Sequence, residues 1–204
     1  MKTIAKVLLA LCVIASLAFT TFQENSEKPI VVVIDVSHGG EDSGTSNGTL
    51  LEKEIVQQIA IKMALLNKDP NIQLHFTRTS DSYISLQERV QFLNNLKPDR
   101  VLSLHVNDND NSEISGMDVF YADKGKEPIS SENLAQKVVN AMESKGIFST
   151  SKVKQANFFV LKNSEAPSVA VELGFLSNAE DSKILMDNTQ QEEIAKVLLT
   201  AISN

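Results

Sequence analysis

Histidines and carboxylates are the side chains of this sequence that could bind a metal. The 204-residue chain contains three histidines, His38, His75 and His105, and one cysteine, Cys12. A single cysteine excludes an intramolecular disulfide and a Cys-rich zinc site, and the apolar surroundings of Cys12 argue against a thiolate nucleophile. Any transition-metal site must therefore combine histidine with carboxylates, which is the ligand set of catalytic rather than structural zinc.

Two histidines and a carboxylate lie at the ends of predicted strands. His38 follows the first β-branched apolar run after the N-terminus, His105 ends a second run, and Glu172 interrupts a third. Glu52 begins the first predicted helix, close to where the loop after His38 returns to the sheet. Each has an ordinary explanation alone: a turn before Gly-Gly, a hydrogen-bonded core histidine, a glutamate favoured by the helix dipole. Because sites in open α/β sheets collect beyond the carboxyl ends of strands, we expect these four side chains to converge. His75 lies in mid-strand and is predicted to be structural.

An alternation of strand and helix patterns positions these residues. Apolar runs predict strands at 30–36, 72–78, 100–106, 117–122, 157–161 and 168–175. Helical spacing and capping boxes predict helices at 52–69, 85–96 and 131–145, and two more after Ser177 and Thr189. The pattern predicts one α/β domain with a mostly parallel sheet of about six strands and helices on both faces. No internal repeat or interdomain linker is evident.

The N-terminus has the layout of a secretory signal. Two lysines precede an apolar run and then small residues, so we predict a signal peptide at 1–20, a short linker at 21–29 and a domain at 30–204. An uncleaved anchor is the alternative. The predicted location is outside the cytoplasm, in the periplasm, cell envelope or medium, with no stable membrane insertion after cleavage. The net charge of −7 argues against nucleic-acid partners.

Several ordered motifs resemble one family of cell-wall enzymes. The motifs are IDVSHGGEDSG (34–44), LLEKEIVQQIA (50–60), TRTSDSYISLQERVQFLN (77–94), VLSLHVN (101–107) and PSVAVELGFLSN (167–178). With them the sequence resembles the zinc-dependent N-acetylmuramoyl-L-alanine amidases of type 3, from about Ile30 to Ile202. The resemblance implies that residues 30–204 form the catalytic domain of a zinc amidase.

The resemblance also implies roles for the converging residues. His38, Glu52 and His105 match the zinc ligands of the family, and Glu172 matches its catalytic glutamate. Zinc with three protein ligands lowers the pKa of water toward about 7 and polarises a carbonyl. The implied reaction is hydrolysis of the amide bond between the lactyl group of N-acetylmuramic acid and L-alanine in peptidoglycan, with Glu172 as the proton shuttle.

Further residues are expected to support the ligands. Asp35 could orient His38, because metal-bound imidazoles usually donate their other N–H to a carboxylate or carbonyl, although a strand-end cap is an equal alternative. Asn107, which closes the VLSLHVN motif, is also expected beside the ligands. Three residues of the TRTSDSY motif and the helix after it are predicted to form a structural ion pair and a helix start: Arg78, Asp81 and Arg89.

Peptidoglycan or a muropeptide is the expected partner, and alternatives remain open. Some relatives carry an inserted helix that covers the zinc, but only about ten residues, 123–132, separate a strand from the next helix here. We therefore predict no built-in autoinhibitory helix, and the need for an activator protein stays open. The alternatives are a non-catalytic peptidoglycan-binding module and a zinc peptidase acting on another amide bond. A serine hydrolase using Ser37 is disfavoured because no nucleophile elbow surrounds it.

Overall fold

The computed structural model describes residues 28–203, so the predicted signal peptide and most of the predicted linker lie outside the described residues. The strands are β1 (Ile30–Val36), β2 (Ser46–Asn47), β3 (Leu50–Leu51), β4 (Ile72–Phe76), β5 (Arg100–Asn107), β6 (Met117–Tyr121), β7 (Ser151–Gln155) and β8 (Ser168–Phe175). The helices are α1 (Glu52–Leu66), α2 (Leu86–Leu96), α3 (Pro128–Lys145), α4 (Phe159–Asn163), α5 (Ala179–Met186) and α6 (Asn188–Ser203). Within residues 28–203, no helix has the length and apolar character needed to cross a membrane.

Six strands form the main sheet in the order β4-β1-β5-β8-β6-β7, and β2 and β3 form a small antiparallel pair. Every neighbouring pair in the main sheet is parallel except β6 and β8. This arrangement confirms the predicted α/β domain with a mostly parallel six-stranded sheet. β1, β5 and β8 occupy the centre, so their carboxyl ends are adjacent, which is where ligands bind in sheets of this kind.

Helices cover both faces of the sheet. On one face, α1, α3 and α6 enclose the larger core, in which Ile34 of β1 and Leu102 of β5 are fully buried. On the other face, α2 and α4 pack over a smaller cluster that includes Val33 and Val101. Side chains alternate along a strand, so residues two and four positions after Val101 share its face. Ser103 and His105 therefore lie on the face of the smaller cluster.

The prediction of a strand at 157–161 is wrong. Residues 151–155 form the edge strand β7 instead, and Phe159–Asn163 form the short helix α4. The sequence SKVKQ of β7 has a single apolar residue, because an edge strand does not need two buried faces and is often charged. The apolar run after it buries Val160 and Leu161 while Phe158 and Phe159 stay partly exposed, which a helical turn allows.

Helix boundaries differ from the sequence predictions mainly at the caps. The capping box of Ser85 and Glu88 is confirmed at the start of α2. The N-cap of α5 is Asn178 rather than Ser177, because the Asn178 side chain accepts hydrogen bonds from the amides of the following turn. Helix α3 begins at Pro128, whose missing N–H costs nothing at the first helical position.

Candidate active site

Three predicted metal ligands converge beyond the carboxyl ends of β1 and β5. One nitrogen of His38, one nitrogen of His105 and a carboxylate oxygen of Glu52 all lie within 4.8 Å of one another. Glu52 Oε1 lies 3.0 Å from His38 Nε2 and 3.1 Å from His105 Nδ1. The imidazole rings are nearly perpendicular, with an interplanar angle of 87°. Both rings therefore direct a nitrogen at the same carboxylate oxygen.

A strained turn after β1 presents His38. His38 has a φ of 55°, an uncommon backbone conformation for a residue with a side chain, and Gly39 has a φ of 124°. A Cβ atom at Gly39 would lie 2.3 Å from the carbonyl oxygen of Ser82, so only glycine fits there. Arg89, which is buried, donates a hydrogen bond of 2.8 Å to the His38 carbonyl. Strain of this kind persists where surrounding contacts fix the backbone, as they do here.

Glu52 is buried at the start of α1, and both of its carboxylate oxygens are held. Oε1 accepts a hydrogen bond of 3.0 Å from the Val106 amide, and Oε2 accepts one of 2.9 Å from the Thr45 amide. Burial by itself would raise the pKa of Glu52, but the hydrogen bonds and charges of His105 and His38 outweigh it and hold that pKa well below its usual range. The carboxylate is therefore ionised and fixed in position.

The pKa values of the two imidazoles shift upward, in the opposite direction to that of Glu52. Burial lowers the pKa of His38 and of His105, but hydrogen bonds and negative charge raise each pKa above its ordinary value. For His38 the partners are Glu52 and Asp42, and for His105 the hydrogen bond to Glu52 is reinforced by the charges of Glu172, Glu52 and Asp35. These shifts make each imidazole easier to protonate than a free histidine.

Glu172 lies next to the cluster on β8. It is the register partner of His105 in the neighbouring parallel strand, so the two side chains project from the same face of the sheet. Burial raises the pKa of Glu172; the positive charge of His105 opposes this, and the negative charges of Glu52 and Asp118 add to it, leaving a net increase. A carboxyl with a raised pKa is suited to accept and return a proton near neutral pH.

A cavity of about 270 Å³ opens in front of Glu172 and His105. Its lining is mostly apolar and includes Leu86, Phe158 and Phe159, which are all partly exposed. An apolar cavity beside a few convergent polar groups has the form of a small-molecule or substrate site. Helix α4, where the sequence predicted a strand, thus supplies one wall of this cavity.

The expectation that Asp35 orients His38 is wrong. The Asp35 carboxylate accepts hydrogen bonds from Thr77 (3.0 Å), Arg89 (2.7 Å) and Ser103 (2.6 Å). Asp42 takes the expected place, with its Oδ2 atom 2.8 Å from His38 Nδ1. The reason is geometric: Asp35 is still within β1 and faces its register partner on β5, whereas the chain turns between Asp35 and His38.

The other predicted residues lie around the cluster. The Asn107 side chain accepts a hydrogen bond from the Asp108 amide, so in this structure it shapes the loop after β5. His75 lies on β4 as the register partner of Val33 and is not a member of the His/Glu/His group. Asp81 forms an ion pair of 2.8 Å with Lys53, a partner that the sequence analysis did not identify.

Two buried arginines hold the turn that carries His38. Arg78 donates to the carbonyl oxygens of Ser37 and Lys53, both at 2.9 Å. Arg89 forms an ion pair with Asp35, and Asp81 pairs with Lys53, so the ion pair predicted among Arg78, Asp81 and Arg89 has other partners than expected. Both arginines therefore act on the turn, and only Arg89 pairs directly with a carboxylate in the described residues (28–203).

Comparison with known proteins identifies the family. The Amidase_3 family, described as N-acetylmuramoyl-L-alanine amidase, matches residues 32–204. The chain belongs to this family. It is 31% identical to an N-acetylmuramoyl-L-alanine amidase of Clostridium difficile 630, and their structures superimpose with a TM-score of 0.81 over 87% of this chain and 96% of that one.

Two further bacterial proteins are also similar to this amidase-family chain. It is 33% identical to the N-acetylmuramoyl-L-alanine amidase LytC of Bacillus subtilis, over 84% of this chain and 35% of LytC. It is 30% identical to the probable cell wall amidase LytH of Staphylococcus epidermidis, over 89% of this chain and 60% of LytH. The chain thus spans between about a third and three fifths of the length of these two relatives.

The cluster of this amidase-family chain fits a divalent metal ion. Two imidazole nitrogens and an ionised carboxylate oxygen are the donor set of catalytic zinc sites, which keep a further position open. The outer nitrogen of each imidazole contacts a hydroxyl or carboxylate partner, Ser103 for His105 and Asp42 for His38, as is usual for metal-binding histidines. Both the donor atoms and their supporting partners are thus appropriate for zinc.

Proposed function

We propose that this chain is an exported zinc-dependent N-acetylmuramoyl-L-alanine amidase that cleaves the bond between the lactyl group of N-acetylmuramic acid and L-alanine in peptidoglycan. One observation carries the proposal: the donor atoms of His38, Glu52 and His105 lie within 4.8 Å of one another, and Glu172 stands beside His105 in the next strand. Family membership supports the same bond as the substrate.

His38, Glu52 and His105 would hold the zinc ion. A zinc ion bound there would supply a Lewis acid that polarises the scissile carbonyl and lowers the pKa of a water molecule. The protein contributes a fixed geometry, because the amides of Thr45 and Val106 hold the Glu52 carboxylate and the strained turn holds His38. Ligands fixed in this way need little reorganisation during the reaction.

Glu172 would move the proton. It accepts a proton from the attacking water and then donates it to the nitrogen of the departing L-alanine amine. The net reaction adds one water molecule across the amide bond. The products are a glycan strand with a free lactyl carboxylate and a stem peptide with a free N-terminal alanine. The raised pKa of Glu172 favours the second step, in which the carboxyl group must be a proton donor.

Location and regulation form part of the proposal. Peptidoglycan lies outside the cytoplasmic membrane, so we take residues 1–20 as a signal peptide and residues 30–204 as the catalytic domain. Residues 122–127 connect β6 directly to α3, and we propose that no built-in helix covers the cluster from this connection. Activity of the purified protein without any partner would support an uncovered site. Activity that arises only after a partner is added would contradict it.

The decisive experiment identifies the products. The protein lacking residues 1–20 is incubated with purified peptidoglycan, with a chelator, and with zinc added back, and the soluble products are analysed by mass spectrometry. We expect peptides with a free N-terminal alanine that disappear with chelator and return with zinc. Cleavage at another amide bond would indicate a zinc peptidase, and zinc binding with no product from peptidoglycan or muropeptides would indicate a binding module.

Ser37 does not offer a competing mechanism. Its side chain is buried in the turn before His38, and among the described residues (28–203) its hydroxyl has no hydrogen-bond partner. A serine nucleophile needs both access to the substrate and a base within hydrogen-bond distance. Neither condition is met at Ser37.

A further inference from the structure

A buried chain of hydrogen bonds leads from an arginine to the outer nitrogen of His105. Arg89 forms an ion pair of 2.7 Å with Asp35 Oδ1, and Ser103 Oγ lies 2.6 Å from Asp35 Oδ2. Ser103 Oγ also lies 3.2 Å from His105 Nε2. Arg89, Asp35 and Ser103 are at most 3% exposed, so water does not compete for these contacts.

The hydrogen-bond donors and acceptors around Ser103 have only one consistent arrangement. A carboxylate that forms an ion pair with arginine accepts hydrogen bonds and has none to donate. Asp35 accepts from Arg89, from Thr77 and from Ser103. The single hydroxyl hydrogen of Ser103 is therefore directed to Asp35, and its oxygen is left to accept. His105 Nε2 must then carry a hydrogen, which it donates to Ser103.

The opposite nitrogen of His105 faces the cluster. Nδ1 lies 3.1 Å from Glu52 Oε1, while Nε2 points to Ser103. His38 is turned the other way: its Nε2 faces Glu52 and its Nδ1 faces Asp42. The two ligands therefore offer different nitrogens to the metal, and each imidazole has a hydrogen-bond partner at its outer nitrogen. The acceptor of His105 is buried, whereas the Asp42 side chain is 44% exposed.

We propose that Ser103, fixed by Asp35 and Arg89, is a positioning residue that keeps the hydrogen of His105 on Nε2 and so leaves Nδ1 as the metal-binding nitrogen. The inference rests on the proposed function, since it concerns the same site. Ser103 also lines the cavity in front of His105, but its proposed role is to hold the imidazole rather than to bind substrate or metal. It acts only through the orientation and tautomer of His105, which is how supporting residues tune metal ligands.

The first test measures zinc affinity in purified variants by competition with a chelator. Ser103→Ala should weaken zinc binding by about 10- to 100-fold, the usual effect of removing such a partner. Ser103→Thr keeps the hydroxyl and should restore most of the affinity. Ser131→Ala is the matched control, because it also removes a buried serine hydroxyl. The Ser131 hydroxyl lies on α3 and accepts a hydrogen bond from the Ser168 amide. An affinity of Ser103→Ala equal to that of Ser131→Ala would overturn the proposal.

The second test observes the imidazole directly by nitrogen-15 NMR. In the metal-free protein at alkaline pH, His105 Nε2 should retain its hydrogen in the wild type and in Ser131→Ala, and Ser103→Ala should shift the hydrogen toward Nδ1. A wild-type His105 with a bare Nε2 would refute the inference whether or not zinc binds. If Nε2 is protonated but the wild type binds no zinc, the proposed function fails while the assignment of the hydrogen stands. The two failures are therefore distinguishable.

Discussion

A methyl group added at Gly44 would collide with the carboxylate that we propose binds zinc. Gly44 has a φ of 66°, and its Cβ would lie 2.4 Å from Glu52 Oε2 and 2.8 Å from Glu52 Cβ. The carboxylate cannot turn away without loss, because its oxygens accept hydrogen bonds from the amides of Thr45 and Val106. We therefore expect Gly44→Ala to displace Glu52 and to weaken zinc binding.

Gly48 separates this collision from simple backbone strain. It has nearly the same φ, 62°, but an added Cβ would have no neighbouring atom within 4 Å. A left-handed conformation costs a residue with a side chain about 1–2 kcal/mol. Gly48→Ala should lose about this much stability and keep its zinc affinity. Gly44→Ala carries the same strain and should also lose at least about 10-fold in zinc affinity, as expected when the support of a ligand is disturbed.

The assay compares the two alanine variants with the wild type. Urea unfolding of the metal-free proteins gives the free energy of unfolding, and chelator competition gives the zinc affinity. The informative quantity is the difference between the variants, since the shared strain cancels. Equal zinc affinities for Gly44→Ala and Gly48→Ala would refute the reasoning, because they would mean that the position of Glu52 does not matter for metal binding.

The remaining predictions concern catalysis, pH and the buried ion pair. Glu172→Gln should retain zinc and thermal stability but lose about 10²- to 10⁴-fold in kcat, measured as the rate of peptide release. His105→Ala should lose zinc as well as activity. A Glu172→Gln rate within about tenfold of the wild-type rate would count against a proton shuttle. In the metal-free protein, the raised histidine pKa values contribute stability below about pH 6.5, the unfolded value, and this contribution is lost as the pH rises through the folded values. Calorimetry should therefore show that the unfolding temperature of the metal-free protein decreases as the pH is raised above that value. Over the same range, the increase in unfolding temperature on adding zinc should become larger, since zinc competes with protons for the histidines. Arg89→Met leaves Asp35 buried without its cation and should lower the free energy of unfolding in urea by about 3–5 kcal/mol. The double variant Arg89→Met/Asp35→Asn should recover part of this loss. A loss under about 1 kcal/mol for Arg89→Met would contradict the assigned pairing.

The strands that position the cluster could be predicted because their sequences carry a strong signal. The run IVVVIDV has a single polar residue, Asp35, next to its last position, as expected for a strand buried on both faces. Such strands are parallel and share an edge, so the convergence of His38 and His105 followed from their positions at the strand ends. The edge strand β7 gave no such signal, because SKVKQ is polar along most of its length.

The partners of the ligands could not be predicted in the same way. Asp35 precedes His38 by three residues, and sequence distance alone made it a natural partner. The register of β1 against β5 places Asp35 opposite Ser103, and this register depends on packing across the whole sheet rather than on any local motif. Asp42 had a weak signal in its spacing from His38, but the close approach requires a turn in which three successive residues, 38–40, have positive φ values.

The different supports of the two histidines suggest different tolerances to change. The partner of His105 is buried and tied to an ion pair that also holds the turn before His38, since Arg89 donates to both Asp35 and the His38 carbonyl. A change at Asp35 therefore disturbs both ligands at once. The partner of His38 is an exposed aspartate whose loss water can partly compensate. Substitutions at Asp42 should thus reduce zinc affinity less than substitutions at Ser103, although Asp42 carries a charge and Ser103 does not.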